Sequence, residues 1–443
     1  MKNPLLEMIE KRKCNINSAI PSYCSANKFV IEAILEQGKR FEDPVLIEST
    51  SNQVNQFGGY LGMVPAEFKD FVYEIADKIG FDKNKIILGG DHLGPQPWQD
   101  LNEEEAMKNS IELVRQCVLA GYTKIHLDTS MRVADDDKNV RLSDEIIAKR
   151  GALMLKAAEE AYEELLKEKP NAIHPVYVIG SEVPIPGGIQ NDSEGLEVTS
   201  PNDFKSTVDT YKKVFDEMGL GKEWENVIAV VVQPGVEFGD DEIDHYDRLA
   251  ARYLVAELKN YPNLVFEGHS TDYQTPDKLK EMAEDGIAIL KVGPALTFAL
   301  REALFALSMI EKELIKDESK RANFIEVLDK EMVDNPKDWI KYYKGTEDEI
   351  KIARKYSFSD RCRYYFSRPN VVNAIEKLFE NLEEVKIPLS MIHQYLPIQY
   401  IKIRDGRLEN NPRALVKDNI VLLVEDYNYA TKHNYMISSI FVK

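Results

Sequence analysis

The chain has 443 residues, of which 44% are hydrophobic and 30% charged, and its net charge is −19. Aromatic and aliphatic residues run along its whole length, which excludes a disordered chain. The acidic balance argues against nucleic acid or an anionic membrane as partner, while a phosphorylated small molecule needs only a local positive pocket. At about 150 residues per domain the length allows three domains, although a single barrel of about 250 residues is a common exception.

The four cysteines, Cys14, Cys24, Cys117 and Cys362, form no CxxC pair, so a reduced, cytoplasmic protein is expected. The first fourteen residues carry charges throughout and have no apolar signal core. The most apolar stretch, 287–310, is interrupted by Lys291, Arg301 and Glu302 and should not span a bilayer.

In chain order, one pattern recurs. A short apolar run rich in β-branched residues ends in polar or glycine residues, and an amphipathic helix follows. A weakly patterned run at 17–24 is followed by clear ones at 45–50, 85–92, 124–130, 177–184, 228–237, 264–272 and 288–295. Continuous apolar runs of this length suit strands of a parallel sheet buried on both faces. Helices are predicted at 67–79, stopped by Gly80, and at 103–120, with Asn102 as cap and Gly121 as stop. Another starts at Thr275-Pro276 and ends at Gly286. Eight strand–helix units predict an α/β fold, a (β/α)8 TIM barrel over residues 1–305. A doubly wound sheet is the alternative, but GGDHLG at 89–94 does not match the dinucleotide fingerprint. Beyond about residue 300 helices dominate, at 300–315, 324–333, 370–382 and 413–424, and 306–443 is read as a helical C-terminal extension packed on the barrel.

In such barrels the reactive groups sit at the C-terminal strand ends. The polar residues there are Glu48 and Asn52, Asp91 and His92, His126 and Asp128, Glu182, Gln233 and Glu237, Glu267, His269 and Asp272, and Lys291. His92 and His269 are flanked by glycine-containing turns, which expose a side chain to a pocket. With Glu182 and Gln233 they form the expected ligand set for a divalent metal (Zn, Mn, Ni or Mg). The competing interpretation of the same residues is a hydrogen-bonded network at the barrel mouth. Asp91 is the first choice for general acid/base, with Glu182 and Asp128 as further catalytic candidates. Glu48, Asn52, Gln53, His126, Ser270, Asp272 and Lys291 are expected to contact substrate, the amides reading sugar hydroxyls. A phosphate would sit near 268–271 and Gly293, and Arg361 or Arg363 could meet it; these arginines equally suit a structural ion-pair cluster. His174, His245, His393 and His433 are assigned to surfaces or packing contacts.

The blocks LIESTSNQVNQFGGYLGM (46–63), IILGGDHLGPQPW (86–98), VIGSEVPIPGG (178–188), VVQPGVEF (231–238), HSTDYQT (269–275), SDRCRYYF (359–366) and IPLSMIHQYLP (387–397) resemble the GatZ/KbaZ family over nearly the whole chain. That family is known as the D-tagatose-1,6-bisphosphate aldolase subunit that accompanies a class II catalytic subunit. Some members are described as ketohexose C4-epimerases acting on fructose and tagatose or their 6-phosphates. The resemblance implies a barrel of the class II aldolase type, a sugar or sugar phosphate as ligand, a class II aldolase catalytic subunit as partner, and a homo-oligomer. Asp91-His92 looks like the Asp-His pair of class II aldolases, and His269 looks like the histidine of their late glycine-rich turn. Their remaining metal histidine has no match here, where strand six offers Gln233 and Glu237. A third reading, phosphorylation of tagatose 6-phosphate, meets no P-loop pattern GxxxxGK[ST].

Overall fold

A computed structural model describes residues 2–140, 142–180 and 196–432. Eight parallel strands close into a barrel: β1 (Ile20–Cys24), β2 (Val45–Thr50), β3 (Ile86–Leu93), β4 (Lys124–Leu127), β5 (Val176–Ile179), β6 (Val227–Val232), β7 (Val265–Gly268) and β8 (Ile287–Val292). β1 pairs with both β2 and β8, so no edge is left open. After a first helix, α1 (Pro4–Lys13), each strand is followed by a helix: α2 (Lys28–Phe41), α3 (Pro65–Ile79), α4 (Glu103–Ala120), α5 (Asp144–Glu168), α6 (Pro201–Glu217), α7 (Arg248–Leu258), α8 (Pro276–Glu284) and α9 (Pro294–Leu314). The (β/α)8 barrel read from the sequence is therefore the fold. The caps are those expected. Asn102 accepts from the Glu105 amide, Thr275 from the Lys278 amide, and Gly80 and Gly121 end their helices in the left-handed conformation.

Strand alternation sorts the barrel interior into two zones. Leu46, Ile87, Val176, Val178, Ala229, Val231, Val265 and Ile289 form an apolar cluster, joined by Leu5, Met8 and Ile9 of α1. The first helix thus plugs the bottom of the barrel, and Asn3 ties it down through bonds from its amide to the carbonyls of Thr123 and His174. Two residues after Leu46, Val265 and Ile289 the inward side chains become ionic, Glu48, Glu267 and Lys291, and Lys124 at the start of β4 reaches them. The long strands proposed at 228–237 and 264–272 are shorter here. Past Val232 the chain turns, and Glu237–Phe238 pairs with Ile243–Asp244 in a separate small ribbon.

The remaining helices are α10 (Phe324–Asp334), α11 (Glu347–Tyr356), α12 (Pro369–Val385), α13 (Leu389–Tyr395), α14 (Pro397–Arg404) and α15 (Pro412–Thr431). Their buried apolar side chains belong to the same continuous core as the outer faces of the strands, and α15 packs on α2, α8 and α9. α9 runs through residue 305, so the passage from barrel to extension falls within a helix.

Two glycines make the mouth possible. A Cβ on Gly89 would lie 2.7 Å from the Glu48 carboxylate, so its absence admits that side chain to the interior. A Cβ on Gly94 would lie 1.6 Å from the carbonyl oxygen of Asp128. Gly94→Ala must force the ends of β3 and β4 apart, and we expect a loss of about 1–3 kcal/mol or more, read as a lowered unfolding midpoint. A midpoint equal to wild type would contradict the close approach.

Candidate active site at the barrel mouth

The ionic zone is built on two lysines. Lys124, at the start of β4, has no exposed surface, and its Nζ lies 2.6 Å from Glu48 and 2.7 Å from Glu267. Lys291, near the end of β8, bonds Glu48 and lies 2.6 Å from Asp91 Oδ1. Burial alone would lower both ammonium groups. Glu267 and Glu48 raise Lys124, and Asp91, Cys24, Glu48 and Glu267 raise Lys291 well above the usual range. Burial would likewise raise Glu267 and Asp91. Lys124, Lys291 and the His269 hydrogen bond hold Glu267 well down, and His92 and Lys291 do so for Asp91. Both carboxylates are ionised at neutral pH.

Above this layer three imidazoles meet, with ring centroids 4.7–5.4 Å apart. His92 enters the mouth because the chain leaves strand geometry there: its φ is +46°, and the β3–β4 register shifts between Gly90 and Leu93. A left-handed non-glycine residue is strained by roughly 1–2 kcal/mol, a cost often found at functional sites. Ser270 and Tyr273, after β7, share this conformation at φ 53° and 62°.

Each imidazole has an assignable hydrogen. His92 Nδ1 lies 2.7 Å from Asp128 Oδ2 and donates to it, which in the neutral ring leaves Nε2 as the acceptor. Asp128 is steadied in turn by the Ser130 amide and hydroxyl, and its carboxyl falls to about 2 because, against burial, it bonds His92. His269 Nε2 lies 2.9 Å from Glu267 Oε1 and donates, which leaves the buried Nδ1 lone pair without a partner among the described residues. Burial drives the His269 imidazole down to about 3, so it is neutral. His126 Nδ1 accepts the His92 amide at 3.2 Å, and its Nε2 donates to the Gly180 carbonyl.

His269 is a neutral imidazole presenting a lone pair, and His92, which Asp91 and Asp128 raise against burial, presents one once Nε2 is deprotonated; both are oriented by carboxylates and fit the donor chemistry of a divalent metal. Asp91, His126, Glu267 and His269 also offer atoms within 4.8 Å of one another. The arrangement brings His92, His269, Asp91 and Lys291 to one cleft of about 860 Å³, counting its open mouth, and Asn52, Gln53, Ser270 and Asp272 line it as well. Glu48 lies beneath, fully buried between the two lysines. Asp272 Oδ1 accepts from the amides of Gly293 and Ala295 and so caps α9. Burial raises its carboxyl to about 6.

Gln233 is committed to its own turn: its Oε1 accepts the amides of Gly235 and Val236, the atom a metal would need. Glu237 is buried and accepts the Phe238 amide. Glu182 lies outside the described residues. In the amide-rich loop, Asn55 serves the turn, accepting from Phe57 and Gly59 and donating to Ser51. From the extension, Arg363 and Tyr364 complete the cleft wall, Tyr364 packed edge-on against Tyr60. Arg361 is buried instead against the Tyr342 ring.

Sequence reasoning passed over Lys124 and gave Glu267 no role. Both sit two residues before an inward histidine, His126 or His269, and strand alternation carries the signal.

Residues 5–432 match the family model described as D-tagatose-1,6-bisphosphate aldolase subunit GatZ/KbaZ-like. The structure of a probable tagatose 6 phosphate kinase from Sinorhizobium meliloti 1021 is 42% identical, with a TM-score of 0.84 over 93% of this chain and 100% of that one. A fructose-bisphosphate aldolase from Campylobacter jejuni aligns at 16% identity and a TM-score of 0.44, over 86% of this chain and 91% of that one. The YdjI aldolase from Escherichia coli K12 aligns at 12% identity and a TM-score of 0.40, over 87% and 100%.

Proposed function

The chain belongs to the GatZ/KbaZ-like family of tagatose-bisphosphate aldolase subunits, a family of carbohydrate metabolism, and from that premise we propose that it inverts C4 of a 2-ketohexose or its 6-phosphate by retro-aldol cleavage and re-addition. The pairs in question are fructose and tagatose, free or phosphorylated. C4 is not adjacent to the C2 carbonyl, so simple enolisation cannot invert it. Breaking C3–C4 can.

The observation that carries this reading is the juxtaposition of Asp91 and Lys291, 2.6 Å apart on the cleft floor beneath His92 and His269. A retro-aldol step needs a base at O4 and positive charge where the enediolate forms. Asp91 accepts the O4 proton as the C3–C4 bond breaks. Lys291 turns from Asp91 towards the oxygen that gains charge, and as it leaves, the carboxylate becomes a stronger base. The aldehyde then rotates within the cleft, and Asp91 returns the proton to O4 after C3 attacks the other face. His92 Nε2 and His269 Nδ1 would hold a divalent metal, which when bound supplies Lewis-acid stabilisation of negative charge on the sugar oxygens. Tyr60, Arg363 and Tyr364 restrict water at the wall while the two fragments are apart.

The test is direct. Purified protein supplied with Mn²⁺, Zn²⁺ or Ni²⁺ should convert fructose 6-phosphate or fructose into the tagatose product, followed by ¹³C NMR. No turnover of either sugar with any of these metals would end the proposal. The family description supports a second reading, a stabilising subunit of a class II aldolase. It predicts co-purification with that catalytic chain, at a yield and activity that His92→Ala leaves unchanged. The kinase named for the Sinorhizobium relative has less support, since the chain contains no GxxxxGK[ST] stretch.

A further inference from the structure

On the face of the barrel opposite the cleft, three side chains from three segments converge. Glu159 lies in α5, His174 just before β5, and Glu223 in the 3-10 turn Gly221–Asn226 that leads into β6. All three are half-buried, and each offers an atom within 4.8 Å of the others. His174 Nδ1 lies 2.7 Å from the Pro175 carbonyl, which can only accept, so Nδ1 carries the hydrogen. In the neutral ring Nε2 then presents a lone pair, yet a carboxylate oxygen of Glu159 stands 3.0 Å from it. Two lone pairs at that separation require a cation. Glu223 adds a second carboxylate, pushed up by burial and by Glu159.

The cluster is held in place from outside. Tyr162 packs edge-on against the imidazole at 4.4 Å, Tyr177 donates its hydroxyl to Glu159, and Asn3 holds the His174 carbonyl. An imidazole oriented by a backbone carbonyl, together with two carboxylates, is a zinc-type donor set with one position left for water. The competitor is a proton on Nε2, which Glu159 favours against the effect of burial. We propose that Glu159, His174 and Glu223 bind one zinc ion, distinct from the cleft, that clips α5 to the entries of β5 and β6. The ion displaces any proton from Nε2, and its place at the N-terminal ends of the strands suits a stabilising role.

The experiment compares full-length wild type with Glu223→Gln and His174→Asn, titrated with zinc at pH 8. Glu223→Gln leaves the Tyr177–Glu159 bond intact, and His174→Asn gives an independent second loss; circular dichroism checks that both fold. Neither substitution touches a cleft residue, so zinc lost is zinc from the underside. The expected result is one fewer tightly bound zinc per chain in each variant, at least ~10-fold weaker binding at that site, and a smaller zinc-induced rise in Tm. Equal zinc content in all three proteins throughout the titration, with the His174 NMR signals following pH alone, would overturn the proposal in favour of a buried imidazolium.

Discussion

Lys124→Met should destabilise the protein by about 3–5 kcal/mol, the usual cost of removing one partner from a buried ionic cluster. Lys124 is enclosed by the barrel, and its ammonium is shared between Glu48 and Glu267. Methionine fills the same space but leaves those carboxylates facing each other, with Lys291 as their remaining ammonium partner. The loss should deepen with pH. In the variant the nearest ammonium is gone and Lys291 stands 3.9 Å away, so burial is expected to outweigh Lys291 and His269 and to lift the folded-state Glu267 carboxyl above its unfolded value. A carboxyl raised in this way destabilises the fold increasingly as pH climbs from the unfolded towards the folded value. Urea midpoints at pH 5.5 and pH 8 would show it, with the larger drop at pH 8. Adding Glu267→Gln to Lys124→Met should recover part of the loss. A Lys124→Met midpoint equal to wild type at both pH values would mean that the barrel interior is hydrated enough to make the lysine dispensable.

The largest effect on activity is expected from Asp91→Asn. The substitution keeps size and shape but removes the group that accepts the O4 proton, so kcat should fall by ~10²–10⁴, with a much smaller change in KM. Lys291 would also lose one of its carboxylate partners. The measurement is the initial rate of C4 inversion at saturating sugar, together with the unfolding midpoint to confirm that the barrel stands. A kcat within threefold of wild type would remove Asp91 from the reaction and shift attention to the His92–Asp128 pair, which has the geometry of an oriented base.

Much of this architecture was legible because a parallel barrel writes itself locally. Every strand buries both faces, so VLIEST and AVVV read as strands without knowledge of their neighbours, and capping residues such as Asn102 and Thr275 act within one turn. The cleft was legible through strand ends, since topology sends every C-terminal end to one mouth. What lay beyond reach depends on partners distant in sequence. Lys124 looks like a strand's polar start until β2 and β7 bring Glu48 and Glu267 to it. Gln233 looks like a ligand until its amide acceptor is seen closing its own turn. Arg363 reaches the mouth from the extension, more than seventy residues after β8, and local pattern cannot say which of Arg361 and Arg363 points inward.

The helical plug bears on how the chain comes to be made. Leu5, Met8 and Ile9 precede every strand of the barrel in the chain, yet the surface they cover includes Ala288 and Ile289 of the last strand. α1 must therefore wait, its apolar face uncovered, until about 280 residues have followed it. Closure of the barrel and seating of its floor are one late event, of the long-range kind that slows folding. An N-terminal fusion that restrains α1 would then be felt as slow or incomplete maturation, even if the finished protein were as stable as before.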